Sequence, residues 1–403
     1  MHIVFIEPRF PANQKLFVKA LAEVGATVTA IGEGSKDSLD HELKHWLTHY
    51  EEVRNVTDDA AVLSAVKSIQ RFKQIDRLEA VVEAHIMTCA RVREAAGIPG
   101  TSTRTAWLCR DKPAMKEVLR EGGVPCAQST AASSVAEIRE FIEKVGFPVI
   151  LKPRDGAGAS GATRVDSVAE LEPALRNLGS SLAVEEYIEG HEGFFDTLAL
   201  RGEVVHEFAT HYYPNVLEAM RTRWISPQFV VTNRIDSAPG YDEVKAMARK
   251  VITLLGIETS ATHMEWFAGP KGLKFSEIGC RPPGVRAWDL YNVANDMDLY
   301  REWAMFIAAG RPSQRASRRL ATGIIALRPD RDGRISGYEG LAQIREAFGE
   351  SLIDWHLPAE GTPTQPVEAG YMANAWIRMK HENYDHLRHM LDVVGRTAKV
   401  RAN

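Results

Sequence analysis

Strand-like and helix-like segments alternate through residues 2–96, and this alternation restricts the fold more than any other feature of the chain. Four short apolar segments are typical of buried strands, namely His2–Glu7, Thr27–Ile31, Glu51–Val56 and Leu78–Glu83. Helical spacing of apolar residues predicts helices at Lys15–Val24, Ala61–Phe72 and Ala90–Ala96. Strands that alternate with helices form an open parallel sheet. The pattern therefore predicts an α/β domain over residues 1–104.

The pattern changes beyond this domain, and we divide the remainder into residues 105–183, 184–312 and 313–403. Helices are predicted at Thr105–Glu121, Val135–Val145, Tyr241–Leu255, Asp296–Ala309 and Tyr384–Val394. Strands are predicted at Phe147–Lys152, Leu182–Ile188, Phe194–Leu200, Val204–Tyr213, His263–Ala268, Leu273–Ile278, Thr322–Leu327 and Tyr371–Met379. The later part of the chain, including the C-terminal portion, is therefore expected to be α+β.

Charge and cysteine content exclude several classes of protein. The formal net charge of −4 gives no field that would hold a nucleic acid. No apolar run is long enough to span a bilayer, and the first residues lack the length of a signal peptide. The four cysteines are scattered without a C-x-x-C pair. This pattern argues against a disulfide scaffold and predicts a cytoplasmic protein that binds neither nucleic acid nor membrane.

A glycine-rich loop at Gly156–Gly161 matches the G-x-G-x-x-G pattern of dinucleotide-binding proteins. Such a fingerprint must open a helix, whereas the alternating Ala162–Val165 that follows predicts a strand. No lysine followed by serine or threonine completes a Walker A loop. The pattern instead indicates a hairpin whose backbone amides could close over phosphates, or simply a mobile surface hairpin.

The segment His41–His45 matches the zinc-binding pattern H-E-x-x-H, with Glu42 as its acid. In a helix, however, His41 would lie roughly 200° from the apolar stripe that contains Leu39 and Leu43. A histidine column opposite the apolar stripe is typical of a solvated helix face. A zinc hydrolase built on His41, Glu42 and His45 is therefore the weaker hypothesis.

Two glutamates stand opposite each other in the predicted hairpin. If its turn is centred on Lys271, Glu265 pairs directly with Glu277. Carboxylates that face each other across two strands repel, and a divalent cation between them reverses the sign of the interaction. Oxygen ligands suit a hard ion such as Mg²⁺. A register shifted by one residue, or separate pairing with arginines, would remove this interpretation.

Other charged residues follow in an order that suits a magnesium–triphosphate. Lys112, Lys152, the glycine hairpin, Glu185-Glu186-Tyr187 and Glu277 occur in sequence. Lysines supply positive charge, amides supply hydrogen bonds, and carboxylates hold the metal. The ordered set is far more specific than any single member.

This set resembles the ATP-grasp superfamily in its carboxylate–amine ligase branch, over nearly the whole chain. The resemblance implies a Rossmann-like preATP-grasp domain (1–104), a small grasp subdomain with the glycine lid (105–183), a large subdomain with the metal hairpin (184–312), and a C-terminal portion like that of biotin carboxylase (313–403). It also implies ATP and Mg²⁺ as cofactors, with Mn²⁺ as a substitute. The family includes homodimers, which this sequence neither requires nor excludes.

By position, the resemblance also implies roles for individual residues. Those placed around ATP are Lys112 and Lys152 at the phosphates, Gly156, Gly158, Ser160 and Gly161 in the lid, Glu185, Glu186 and Tyr187 at the adenine edge, and Glu192 at the ribose. Those placed around the reacting groups are Glu265 and Glu277 as metal ligands, Arg281 and Lys152 as catalytic groups, and Arg281, Arg286 and His263 at the substrate.

The chain departs from the family at two places. Gly279 stands where the family has an asparagine after the second metal glutamate, so one or two metals remain open. Pro282–Arg286 replaces the glutamine and glutamate of biotin carboxylases. The sequence therefore predicts a ligase that converts a carboxylate into an acyl phosphate and joins it to an amine, with amino acids as the favoured substrates. The alternatives are an ATP-grasp enzyme with a non-amine acceptor, as in carboxylation, a nucleotide-binding regulator, and the zinc hydrolase.

Overall fold

The computed structural model describes residues 1–153, 161–176 and 182–403. Its first unit is a parallel sheet with the strand order β3-β2-β1-β4, which confirms the predicted α/β domain. The elements of this unit are β1 (His2–Ile6), α1 (Gln14–Glu23), β2 (Thr27–Glu33), α2 (His41–Trp46), β3 (His49–Val53), α3 (Asp59–Gln70), β4 (Arg77–Glu79) and α4 (Glu83–Ala96).

Two helices lead from this sheet into a small antiparallel sheet of the order β5-β8-β6-β7. Its elements are α5 (Thr103–Leu108), α6 (Lys112–Glu121), β5 (Ser129–Ala132), α7 (Val135–Val145), β6 (Val149–Pro153), β7 (Thr163–Val165), α8 (Val168–Leu175) and β8 (Leu182–Glu186). The predicted strands on either side of the glycine loop are present, and they pair with each other.

An eight-stranded sheet follows, in the order β13-β12-β9-β10-β11-β14-β17-β16. The elements of this region are β9 (His191–Leu200), β10 (Glu203–Tyr213), α9 (Val216–Ala219), β11 (Gln228–Val231), α10 (Tyr241–Leu255), β12 (Ser260–Gly269), β13 (Gly272–Gly279), α11 (Ala287–Asn295), α12 (Leu299–Ala309), β14 (Ala321–Leu327), β15 (Ile335–Glu339), α13 (Leu341–Phe348), β16 (Leu352–His356), β17 (Ala375–His381), α14 (Tyr384–Thr397) and β18 (Lys399–Ala402). Since β11 pairs with β14, the predicted boundary at residue 312 falls within one continuous sheet.

The hairpin β12–β13 pairs Glu265 with Glu277, as the sequence predicted, but for a different geometric reason. Its turn contains two residues, because Gly269 pairs with Gly272, so the predicted turn centre at Lys271 is wrong. That turn alone would place Glu265 opposite Ser276. A β-bulge at Ser276 shifts the register and restores the glutamate pair, because an extra residue in one strand changes which side chains share a face.

The helix predicted at Asp296–Ala309 is wrong at its start. A separate helix, α11, ends just before this region at Asn295, and Asp296 adopts a left-handed conformation with φ of 51°. The next helix begins after Asp298, whose side chain accepts a hydrogen bond from the Arg301 amide as a helix cap.

No helix of the described residues combines the length and apolar character that a membrane span requires.

Candidate active site

A cleft of about 360 Å³ opens between the four-stranded antiparallel sheet and the eight-stranded sheet. Strands β6 and β8 supply one wall, and β9, β12 and β13 supply the other. The cleft brings together charged residues that lie far apart in the sequence, namely Lys112, Lys152, Glu185, Glu192, Glu265 and Glu277. The sequence predicted each of these as a site residue, and they now share one cavity.

One end of the cleft is rich in lysines. Lys112 lies at the start of α6, and its Nζ is 3.4 Å from Oε2 of Glu277. The Nζ of Lys152 on β6 is 2.7 Å from Oε2 of Glu185 and 4.0 Å from Oε2 of Glu277. Although burial opposes the change, Glu185 and Glu277 raise the pKa of Lys152, which therefore stays charged. Both lysines are placed where anionic phosphates could replace carboxylates as partners.

A third lysine, which sequence reasoning missed, completes this end. Lys116 is fully buried, and its Nζ lies 2.7 Å from Oε1 of Glu185. Burial opposes the shift, but Lys116 and Lys152 together lower the pKa of Glu185 to about 2. The available signal was spacing, because Lys112 and Lys116 are one helical turn apart and therefore share a face of α6.

The predicted adenine edge differs from expectation at Glu185, because its carboxylate faces the lysines. Glu186 instead pairs with Lys271 at 3.0 Å, and the ring of Tyr187 stacks against Arg164 at 4.1 Å. The amides of Glu186 and Tyr187 already donate within the small subdomain. Contacts to an adenine would therefore come from backbone carbonyls and from Ile188, which also lines the cleft.

Three carboxylates converge at the other end of the cleft. Burial and the neighbouring Glu277 raise the pKa of Glu265 to about 8. Burial also raises the pKa of Glu192 to about 7, although its Oε2 accepts a hydrogen bond of 2.7 Å from the Val216 amide. Burial opposes the shift at Glu277, but Lys112 and Lys152 lower its pKa overall. Glu265 and Glu277 thus form an oxygen-only donor pair that fits a hard dication.

These side chains would supply only part of a coordination shell. In the described residues, no three histidine, cysteine, aspartate or glutamate side chains form a ready-made metal cluster. Mg²⁺ characteristically binds through one or two carboxylates and completes its shell with phosphate oxygens and water. Glu265 and Glu277 fit that type of site, in which the nucleotide brings the remaining ligands.

His263 lies beside the Glu265–Glu277 pair in a fixed orientation. It is directly opposite Asp196 on β9, and its Nδ1 lies 2.7 Å from Oδ1 of that buried carboxylate. Tyr291 donates to the other oxygen of Asp196. The free edge of the ring, Nε2, is 3.8 Å from Oε1 of Glu265. Sequence reasoning predicted His263 but missed Asp196 and Tyr291, which hold it.

The two predicted substrate arginines occupy different places. The Nε of Arg281 is 2.9 Å from Oε2 of Glu83, and Arg281 borders the cavity that contains Glu265 and Glu277. Arg286 is exposed and pairs with Asp289 at 2.5 Å. Both arginines line a further cavity, whereas only Arg281 also reaches the cavity that contains Glu265 and Glu277. Glu83, which sequence reasoning placed at a strand end, is the first residue of α4.

Of the predicted glycine lid, Gly156–Gly161, the structure describes only Gly161. Gly156, Gly158 and Ser160 lie outside the described residues. Gly161 has a φ of 74°, a conformation that favours glycine, and leads directly into β7.

The H-E-x-x-H segment forms the six-residue helix α2. His41, Glu42 and His45 are exposed, and only Leu43 of this helix is buried. The Nζ of Lys15 lies 2.5 Å from Oε2 of Glu42. This geometry favours the solvated face over a zinc site.

Residues 117–290 match the family model of the ATP-grasp domain. The chain therefore contains an ATP-grasp domain. It is 25% identical to an L-arginine-specific L-amino acid ligase of Bacillus subtilis, over 88% of this chain and 86% of that protein. It is 24% identical to an alanine–anticapsin ligase of Bacillus subtilis, over 53% of this chain and 49% of that protein.

A solved structure supports the same ATP-grasp architecture over the full length. The crystal structure of an L-amino acid ligase from Bacillus licheniformis superposes with a TM-score of 0.78 at 15% identity, covering 100% of this chain and 98% of that one. The predicted superfamily and fold are therefore confirmed.

Proposed function

We propose that this ATP-grasp protein is an ATP-dependent carboxylate–amine ligase that forms an amide or peptide bond through an acyl phosphate. The observation that carries the proposal is that one cavity shares lining residues with two others. The cleft described above shares Glu265 and Glu277 with a second cavity of about 420 Å³. That second cavity shares Arg281 with a third, of about 610 Å³. Three substrates, ATP, an acid and an amine, need this arrangement.

The proposed chemistry has two steps. A carboxylate oxygen of the acid attacks the γ-phosphorus of ATP, the bond to the bridging oxygen breaks, and ADP leaves. The amine nitrogen then attacks the carbonyl carbon, phosphate departs, and the nitrogen loses a proton. Because a carboxylate has no good leaving group, the phosphoryl group supplies one. Both steps depend on positioning and on neutralising negative charge.

Each group in the cleft suits one part of this task. Lys112 and Lys152 would bind phosphate oxygens, and Arg281 would face the transferred group from the acid side. Glu265 and Glu277 would hold Mg²⁺ or Mn²⁺, which neutralises phosphate charge when bound. Arg281 is itself held by Glu83, so the first domain fixes a group that borders the reaction centre.

Amino acids are the favoured substrates of the proposed ligase. Both curated relatives described above are named as amino acid ligases. A non-amine acceptor, as in a carboxylase, stays the second candidate, because biotin carboxylase domains share this fold. A cytoplasmic location also stays a prediction; it agrees with four free, buried cysteines. A homodimer is a further prediction, which light scattering would test.

An isotope experiment tests the proposed intermediate. An acid labelled with ¹⁸O in its carboxylate should transfer one label to the released phosphate, and hydroxylamine should trap a hydroxamate at the expense of ATP. Formation of ADP that depends on bicarbonate, with no label in phosphate from any acid, would favour the carboxylase. ATP binding without acid-dependent ADP release would indicate the regulator, and substrate cleavage independent of ATP the hydrolase.

A further inference from the structure

The cavity beside Glu265 and Glu277 is largely apolar. Aromatic and aliphatic side chains form most of its wall, with Phe194, Tyr212, Phe229, Tyr371 and Met372 among them. Its volume of about 420 Å³ lies within the range of small-molecule sites, roughly 300–1,000 Å³. The third cavity is also largely apolar, with Phe17, Trp288 and Tyr300 in its wall, but it includes the charged residues Lys15, Glu83 and Arg286.

The wall of this apolar cavity is built rigidly. The rings of Phe194 and Tyr212 lie 5.0 Å apart between centroids, and those of Tyr212 and Tyr371 lie 4.9 Å apart. The hydroxyl of Tyr371 donates to the backbone oxygen of Gln228 at 2.6 Å, which fixes that ring to the neighbouring strand. Packed aromatic rings of this kind favour a preformed shape over adaptation to the ligand.

Charge in the cavity is confined to one end. His263, Glu265, Glu277 and Arg281 border it beside the cleft. Among the described residues that line the cavity, the only acidic ones are Glu265 and Glu277, which the proposed function assigns to the metal. A ligand that enters with its carboxylate toward Arg281 would therefore place its side chain among apolar groups.

We propose that this cavity selects the acid substrate, and that the acid is an amino acid with an uncharged, apolar side chain of the size of leucine, methionine or phenylalanine. The proposal rests on the proposed ligase function. A guanidinium or ammonium side chain would be buried there without a carboxylate partner, which is costly. The preference is thus opposite to the one for which the arginine-specific Bacillus subtilis relative is named.

The test uses hydroxylamine as the acceptor in every assay, so that only the acid varies. We expect kcat/KM for hydroxamate formation with leucine, methionine or phenylalanine to exceed that with arginine, lysine or glutamate by at least about tenfold. Equal or greater activity with a charged acid would overturn the proposal and leave the ligase function intact. ADP formation that needs no acid, with no hydroxamate from any acid, would overturn both.

A substitution at Met372 sharpens the test. Met372 lines the cavity and is half-buried, so a polar side chain can be accommodated there. Met372→Glu should raise the ratio of arginine to leucine activity about tenfold or more, because it supplies the missing carboxylate. Met372→Gln, of matched size but neutral, should not. An unchanged ratio in a folded Met372→Glu protein that still binds ATP would contradict the proposed wall.

A second position tests the same wall in case Met372→Glu does not fold. Val285 also lines the cavity and is 54% exposed, so Val285→Glu does not place a charge in the core. It should move the ratio in the same direction as Met372→Glu. If both variants fold and neither moves the ratio, the cavity does not contact the side chain of the acid.

Discussion

The two ends of the nucleotide cleft solve the problem of buried charge in opposite ways. At the lysine end, Glu185 is held between Lys116 and Lys152 at 2.7 Å from each, so the protein neutralises its own carboxylate. At the carboxylate end, Glu192 and Glu265 have pKa values raised to about 7 and about 8. The first end is complete within the protein, whereas the second holds protons that a cation from outside would displace.

Glu277 connects these two ends. Its carboxylate lies within 4.0 Å of both Lys112 and Lys152, yet it stands directly opposite Glu265. A metal would therefore compete with the two lysines for Glu277, and phosphates would compete with Glu277 for the lysines. We expect nucleotide and metal to bind together, because phosphates that pair with the lysines leave Glu277 available to the metal.

The largest expected effect concerns the lysine end. Lys152→Ala should lower kcat/KM for ATP about 10²–10³-fold, because it removes a charge placed at the phosphates. The matched control is Lys144→Ala, since Lys144 is exposed and pairs with Glu140 on the same helix. Its effect should stay within about twofold. A steady-state assay of ADP release measures both, and equal behaviour of the two variants would contradict the assignment of Lys152.

The next effect concerns the orientation of His263 at the carboxylate end. Asp196→Asn should lower kcat up to about a hundredfold, because the carboxylate no longer holds the imidazole beside Glu265. The KM for ATP should change little, since Asp196 does not line the nucleotide cleft. Asp59→Asn is the control, because Asp59 is a partly exposed carboxylate that pairs with Arg91 and does not line the cleft. A loss confined to the KM for ATP would argue against this positioning role.

A smaller effect concerns the stability of the metal-free protein. The raised pKa of Glu265 means that the folded state holds a proton which the unfolded state loses above about pH 4.5. Stability of the metal-free protein should therefore fall as pH rises from about 4.5 towards 8. Glu265→Gln should flatten this decline and raise the melting temperature at pH 8 by a few degrees.

Thermal melting in a chelator across this pH range measures that effect, with the exposed Glu140→Gln as control. Addition of Mg²⁺ with ADP should stabilise the wild type more than the Glu265→Gln variant. A wild-type melting temperature that rises between pH 5 and 8 in the chelator would contradict the raised pKa of Glu265.

The smallest expected effect concerns the exposed helix α2. His45→Ala should leave kcat/KM within about twofold, and metal analysis of the active enzyme should find no stoichiometric zinc. Loss of activity in this variant, with the fold intact, would revive the hydrolase hypothesis and weaken the importance given to the cleft.

Much of the site was predictable because its chemistry lies in the order of charged residues along the chain. Lys112, Lys152, Glu192, Glu265 and Glu277 all reach one cleft. The Glu265–Glu277 pair was predicted with the right partners but the wrong turn. A sequence does not show whether a bulge such as that at Ser276 will offset a two-residue turn, because the choice depends on which face the rest of the sheet buries.

The residues that sequence reasoning missed act through contacts between distant segments. Glu83 holds Arg281 from 198 positions away, and Asp196 holds His263 from 67 positions away. Helix α11 was missed because left-handed residues, Arg286 and Asp296, border both of its ends and its length is only nine residues. The local sequence pattern does not indicate contacts between segments that lie far apart in the chain.

The strand pair β11–β14 has a consequence for engineering the enzyme. The proposed selectivity wall takes Phe229 from one side of that pair and Tyr371 from the C-terminal region beyond it. A chimera that exchanges residues 313–403 with a relative would pair β11 with a strand whose side chains are not fitted to this sheet, and a poorly paired strand leaves a sheet edge open to aggregation. Substrate range in this scaffold should therefore evolve by point changes in the wall, and wholesale exchange of the C-terminal module should yield insoluble protein.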